Sequence, residues 1–395
     1  MKIKSPPMRQ ASPLEVQQIP NFVFNKSSQT FTTRELKVLN NGLNFAIDTK
    51  PQIEDVVIDV EGAIRHLDSE SKEIVRKEVG DILNKRTRSG KTYRYDPIVK
   101  KLREKDVFYT KADKGNAVVI IDKNECNSAL EEKLKNGNFF KLRNNPLPES
   151  IKRVEKALNE SRKILGNITD LRMPNPSLPR MRIQPKIQKQ GNETREIIAD
   201  TNSPTYKIAK WLMKEISTNG NYHSKYSVKN SIELVEKPVG HKNLEKSDCL
   251  VSFDIKALYP SIPTKEAIWK LEDWLTEQCM EMNGRKKAKV YTKLTALCMN
   301  EKYFVCRDQF YKTTSGTAMG NPLSPLISEI FMKSMKKEIE KRGIIPKFWA
   351  RYIDDILVII PNEDIEKTLE AINNIYRNIT FTMEKEDYQW IAFWT

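Results

Sequence analysis

The sequence predicts an α+β chain, with helices packed on an antiparallel sheet and a mainly helical region ahead of it. Three observations predict this. Apolar runs rich in β-branched residues, "CLVSF" and "ILVII", read as buried strands. Intervening segments place apolar residues at helical spacing, as at Ile268, Leu271 and Leu275. Turn signals such as "VCRDQF" and "YIDDI" sit between short strand-like runs. At 395 residues the chain is long enough for two or three domains. The expected partition is a flexible arm over 1–30, a helical region with short strands over 31–165, and a sheet-containing region over 166–395.

Taken in order, the first 30 residues contain Pro and Gln without periodicity. In "TFTTRELKVLNNGLNFA", Thr32 and Glu35 have capping-box spacing and Gly42 fits a helix stop. Apolar spacing from Ile53 to Asn84 predicts two helices. Residues 85–105 form a basic segment with interleaved tyrosines, suited to phosphate and base contacts or equally to a solvated helix face. Val107–Lys123 predicts two short strands around "ADKGNA", and about 127–165 a helical stretch. The proline-dense segment after it predicts loops and a hairpin carrying Arg180, Arg182, Lys186, Lys189 and Arg195. A helix follows Ser203, and a strand spans Leu250–Ile255. "NGRKKAK" is expected as a basic loop, "EKYFVCRDQFYKTT" as a hairpin, and "SGTAMGNPLSP" as a loop feeding a helix. A strand pair on "FWARYIDDILVII", a helix over about 363–376 and the strand "ITFTMEKE" complete the chain.

Composition narrows the function. Lys and Arg number 67 against 52 Asp and Glu, giving a net charge of +15 that points to a polyanionic partner such as nucleic acid. A merely basic protein is the bland reading of the same surplus. Five scattered cysteines without a CxxC pair, and only three histidines, argue against zinc and for reduced, intracellular thiols. No apolar window is long enough for a membrane span, and the N-terminus lacks a signal-peptide core.

Asp354 and Asp355 sit side by side in an apolar run, and Asp254 ends the strand "VSFDI". A lone "IDDI" reads as a surface turn. If the two strands are neighbours in one antiparallel sheet, however, three carboxylates converge and require a divalent cation between them. Mg²⁺ suits such a site, since it combines carboxylates with waters and substrate phosphates. Tyr259, five residues past Asp254, is placed to lie under an incoming sugar; a core tyrosine is the alternative. Gly316 and Gly320 allow close backbone approach to a base pair, though taken alone they fit an ordinary helix entry. Lys186 and Arg195 supply cations for a triphosphate.

These blocks, in this order, resemble a reverse transcriptase, and more narrowly those of Penelope-like retroelements, relatives of telomerase. The resemblance rests on "LNNGLNFA", "TKADKGNAVVIIDK", "QPKIQKQGNETREIIADTNSPTYKIAKWL", "FDIKALYPSIP", "FYKTTSGTAMGNPLSPLISEIFM", "RYIDDILVI" and "ITFTMEKE". It implies a right-hand polymerase with fingers and palm that copies an RNA template from a DNA primer with dNTPs. Asp254, Asp354 and Asp355 would bind two Mg²⁺ ions, with Mn²⁺ a substitute. Tyr259 would be the steric gate, Lys186 and Arg195 the triphosphate ligands, and Met319 and Gly320 the flank of the nascent base pair. The chain departs from the family at Gln188, where His is common, and at Glu196, where Pro is common and a negative charge now follows Arg195. The family would continue into a thumb, often with a GIY-YIG endonuclease; neither GIY nor YIG occurs, and the tail "DYQWIAFWT" departs from that continuation. A C-terminally truncated or frame-shifted copy is therefore expected, with nuclear location implied by priming at chromosomal DNA. The rival readings are an inactive remnant that at most binds nucleic acid, and a scaffolding protein whose charge runs are solvated faces.

Overall fold

The structure is a computed structural model that describes residues 22–44, 53–88, 96–187, 193–220, 222–237, 244–278, 282–318, 320–387 and 391. The chain divides into two compact units: Glu15–Ser128 with Gln184–Arg195, and Met1–Leu14 with Ala129–Ile183 and Glu196–Thr395.

In the smaller unit, β1 (Val23–Asn25) is followed by helices α1 (Thr33–Asn40), α2 (Ile53–Ile64), α3 (Ser69–Arg88) and α4 (Asp96–Glu104). Strands β2 (Val107–Lys111) and β3 (Val118–Asp122) then pair antiparallel, with β1 parallel on the other side of β3. Val23, Leu39, Leu102, Val107, Val118 and Ile120 form its core. The capping box closes as the sequence requires: Thr32 N–H donates to Glu35 Oε2 at 2.7 Å, and Glu35 N–H to Thr32 Oγ1 at 3.3 Å. The flexible-arm expectation needs correction at its end, because residues 23–25 form a strand whose Val23 is buried against β3. Residues 1–21 lie outside the described residues, as do Tyr93 and Tyr95 of the basic segment.

The chain continues through α5 (Lys123–Asn136), β4 (Phe139–Leu142), α6 (Leu147–Leu165) and the hairpin strands β5 (Met181–Pro185) and β6 (Thr194–Ile198). Next come α7 (Tyr206–Asn219), α8 (Ser231–Glu236), β7 (Asp248–Ile255), α9 (Leu258–Ser261), α10 (Thr264–Gln278) and α11 (Met282–Asn300). The remaining elements are β8 (Tyr303–Cys306), β9 (Gln309–Thr313), α12 (Ser324–Lys341), β10 (Phe348–Tyr352), β11 (Asp355–Pro361), α13 (Ile365–Asn373) and β12 (Phe381–Lys385).

Two expectations fail here. The helical stretch over 127–165 is interrupted by β4, which pairs with β9 and packs Phe139 edge-on to Phe304. The "basic loop" is the start of α11: Ala288, Leu294 and Cys298 bury one side while Lys286, Lys287 and Lys289 face solvent. The β8–β9 hairpin turns at Arg307 and Asp308 as expected, both with positive φ, the geometry of a two-residue hairpin turn.

The central sheet of the larger unit has the order β10-β11-β7-β12, with every neighbouring pair antiparallel. Its faces follow the period of two. Val251, Phe253, Ile255, Ile356, Val358 and Ile360 pack into the main core with residues of α7, α10, α11 and α12. Leu250, Leu357 and Ile359 point the other way, into a smaller cluster with Val228, Leu234 and Ala350. The uninterrupted "ILVII" of β11 is therefore a strand buried on both faces. Among the described residues, no helix is long and apolar enough to cross a membrane.

Candidate active site

The sheet register brings the first two candidate residues together. Asp355 of β11 lies directly opposite Asp254 of β7. Directly opposed residues share a face, with Cβ atoms about 4.5–5.5 Å apart. By the same alternation both carboxylates fall on the face of the smaller cluster, at the end where the apolar cover stops. Asp254 is exposed and Asp355 half-buried. Two like charges in this position repel.

Asp354 occupies the turn between β10 and β11, next to Ile353, whose φ is +54°. A β-branched residue in the left-handed region is strained by about 1–2 kcal/mol. Arg351, 4% exposed, braces this turn: its Nη1 donates to the Ile353 carbonyl at 2.8 Å. Its Nη2 donates to Ser227 Oγ at 2.8 Å and to Glu329 Oε2 at 2.5 Å. Glu329 Oε1 accepts in turn from Ser224 N–H at 2.9 Å and Ser227 Oγ at 2.5 Å. A buried guanidinium is thus tied to α12 on one side and to the turn bearing the aspartates on the other.

Tyr259 follows Asp254 through Ala257, which takes the left-handed conformation at φ +50° and starts α9. Its phenol pKa is raised by burial and by the charge of Asp354, with Arg351 opposing. Tyr259 and Asp354 therefore share one electrostatic environment. The Tyr259 carbonyl accepts from Thr317 N–H at 2.7 Å. Gly316, at φ +68°, makes that contact possible: a Cβ there would lie 2.2 Å from the Pro260 carbonyl oxygen. Gly320, at φ +115°, approaches β6 so closely that a Cβ would stand 2.8 Å from the Ile198 carbonyl oxygen. Met319 lies outside the described residues.

Beside Gly320, Asn321 Nδ2 donates to Asp200 Oδ2 at 2.9 Å. Burial pushes Asp200 up to about 7, against the hydrogen bonds of Ser203 and Asn321. In the smaller unit, Lys186 Nζ sits 3.1 Å from Glu193 and Arg195 Nη1 2.9 Å from the half-buried Asp113. Glu196, the departure that added a charge after Arg195, is met by Lys133 at 3.3 Å. Gln188 and Lys189 lie outside the described residues.

Sequence reading missed Arg351, Glu329, Ser227 and Asp200. A signal existed for the first two: an arginine inside "FWARYIDD" and a glutamate inside the apolar "PLISEIFM" each need a partner once buried.

Whether these residues fit a metal turns on donor chemistry. Among the described residues, no group of three or more His, Cys, Asp or Glu gathers closely enough to hold an ion. What forms is an opposed pair, Asp254 and Asp355, with Asp354 on the adjoining turn. These are hard oxygen donors, open on one side, and Mg²⁺ takes few protein carboxylates beside waters and substrate phosphates. The residues present fit such an ion.

No curated protein matches the chain. Solved telomerase structures share its fold. The Candida albicans enzyme, in complex with a fragment of telomeric RNA, superposes with a TM-score of 0.50 at 12% identity over 75% of this chain. Candida tropicalis telomerase gives 0.51 at 11% identity over 90% of this chain with the same kind of RNA fragment, and 0.50 at 11% identity, again over 90%, when truncated from its C-terminal domain. This chain spans 52% of the length of the first, 58% of the second and 76% of the third. The family model for reverse transcriptase (RNA-dependent DNA polymerase) matches residues 187–391, just over half of the chain. That span contains both strands of the aspartate pair and the two close-approach glycines, and by it the chain belongs to the reverse transcriptase family.

Proposed function

We propose that this protein is the RNA-directed DNA polymerase of a Penelope-like retrotransposon, adding deoxynucleotides from dNTPs to a DNA primer on an RNA template. The observation that carries this reading is the Asp254–Asp355 opposition beside the braced turn of Asp354. These three carboxylates are the residues that would hold two Mg²⁺ ions, with Mn²⁺ as a substitute. Bound there, such ions would supply the positive charge that makes a primer 3′-hydroxyl more nucleophilic and offsets the charge of the pyrophosphate leaving group.

The chain's own residues bind and orient. Arg351 fixes the turn so that Asp354 and Asp355 need no rearrangement as the substrate arrives. Tyr259 is the sugar gate, excluding a 2′-hydroxyl by its bulk. Met319 and Gly320 flank the nascent base pair, where the missing Cβ of glycine permits close approach. Lys186 and Arg195 neutralise the triphosphate. RNA as a partner is supported by the fold-sharing telomerases solved with telomeric RNA.

The test is primer extension on an RNA template with dNTPs and Mg²⁺, beside Asp354→Asn/Asp355→Asn. The expected outcome is extension by the native protein and its loss in the variant. A second reading, a nucleic-acid-binding remnant without catalysis, is favoured by the pairwise rather than threefold gathering of carboxylates. It predicts hybrid binding with no incorporation in the same assay.

A further inference from the structure

Asp113 sits in the turn "ADKGNA" between β2 and β3, in the smaller unit. The turn is tightly closed: Ala112 N–H donates to the Ala117 carbonyl at 2.8 Å, and Gly115 and Asn116 take positive φ. It is rooted in β3, where Val118, Val119, Ile120 and Ile121 are all buried. From this base Asp113 reaches both arms of the β5–β6 hairpin. Its N–H donates to the Pro185 carbonyl at 2.9 Å, and its Oδ1 lies 2.9 Å from Arg195 Nη1. Pro185 directly precedes Lys186, so one well-bonded turn holds both arms that bear the proposed triphosphate cations.

Exposure within the Asp113–Arg195 pair is uneven. Water reaches Asp113 through its backbone, its side chain being only 4% exposed, whereas the Arg195 side chain is 40% exposed. A carboxylate withdrawn from water needs a fixed cation. For holding the fold, however, such a pair gains little where the cation stays in water. Nη1 is one of three guanidinium nitrogens, and the group carries five N–H donors in a rigid fork. One edge therefore rests on a sealed carboxylate, leaving the exposed part of the fork for a second anion, which it can meet with parallel donors. Lys186 differs, because its partner Glu193 is itself exposed and fixes nothing.

We infer that Asp113 is a positioning residue for nucleotide binding, its sealed carboxylate orienting Arg195 toward the triphosphate of the incoming dNTP. In the proposed polymerase reading, on which this inference rests, Arg195 meets that triphosphate. The sign of the effect separates orientation from charge. Asp113 adds a negative charge beside a triphosphate site, so on charge alone its removal would tighten dNTP binding. As the group that orients the guanidinium, its removal weakens binding.

The test is equilibrium binding of the next complementary dNTP to the full chain on an RNA template, with a dideoxy-terminated DNA primer so that no bond forms. Arg195→Ala is expected to weaken binding by roughly tenfold or more. Asp113→Asn, of the same shape, is expected to weaken it about threefold to tenfold, and the double variant to bind no worse than Arg195→Ala alone, since residues acting through one contact are not additive. A purely structural part would add the two losses. Asp113→Glu keeps the charge and serves where the Asn variant fails to fold. It is expected to bind dNTP more weakly than the native protein at an unchanged urea midpoint, and to add nothing in the Arg195→Ala background. The control Asp106→Asn, which removes an exposed carboxylate paired with Lys123 in the same unit, is expected to leave dNTP affinity unchanged. Native or tighter affinity in the Asp113 variants, with Arg195→Ala weakened, would overturn the inference and leave the polymerase reading standing. Additive losses, or an equal loss in the control, would overturn it as well. Full affinity in Arg195→Ala, or no dNTP binding by the native complex, would instead strike Arg195 as a triphosphate ligand, and the inference with it.

Discussion

Two carboxylates of the larger unit, Glu329 and Asp200, are almost equally buried, at 9% and 8% exposure, yet are held in opposite states. Burial pushes Glu329 up, but the charge of Arg351 and the hydrogen bonds of Ser227 and Ser224 outweigh it and hold the carboxyl below its ordinary range. Asp200 has only Ser203 and Asn321, and burial carries it to about 7. Burial therefore does not set the charge of an acid in this fold; the presence of a guanidinium does. The first acid braces the aspartate turn as a permanent anion, and the second changes state near neutrality beside the Gly320 loop.

The largest way to break this contrast is to remove the guanidinium. Arg351→Met leaves Glu329 buried without its cation and is expected to lose about 3–5 kcal/mol of stability at pH 7, read by urea unfolding. Because the folded pKa of Glu329 is depressed, its contribution is present above 4.5, the ordinary value, and is lost as pH falls through the folded value. An unchanged midpoint in the variant would show that the pair does not hold the charge.

Asp200→Asn sharpens the contrast from the other side. The folded pKa of Asp200 is raised from 3.8 to about 7, so its favourable contribution is full below 3.8 and lost as pH rises through about 7. That shift sets a ceiling of about 4 kcal/mol. The variant is expected to gain stability over the native protein at pH 8 and to lose that advantage toward pH 4, as unfolding at the two pH values would show. A constant difference would mean that Asp200 stays charged throughout.

The smallest effect is that of Ser227→Ala. It removes one hydroxyl shared by Arg351 and Glu329 while leaving the ion pair, for an expected loss of about 1–3 kcal/mol. A loss as large as that of Arg351→Met would shift the weight from charge to hydrogen bonding.

Local patterns carried most of the fold. Thr32 and Glu35 disclosed α1, the apolar runs disclosed β7 and β11, and Arg307–Asp308 disclosed a hairpin, because each is decided within a few residues. β4 escaped since two phenylalanines between helical stretches look like helix until β9, some 170 residues later, offers them an edge. α11 escaped because a cluster of lysines resembles a loop unless the single buried Ala288 is noticed. The site divided the same way. The aspartates were visible in their strands, whereas Arg351 is defined by Ser227 and Glu329, which lie 124 and 22 residues away in the chain. Sequence patterns show which residues are out of place, and only the tertiary structure shows who answers them.

The Asp254–Asp355 register also bears on folding. β7 lies between β11 and β12, with Phe253 completely buried on one face and Asp254 open on the other. A slip of one residue in either pairing would turn a carboxylate into the packed helices and a phenylalanine out to water. The charges proposed to serve catalysis thus double as an alignment mark, leaving the newly made sheet a single register in which it can close.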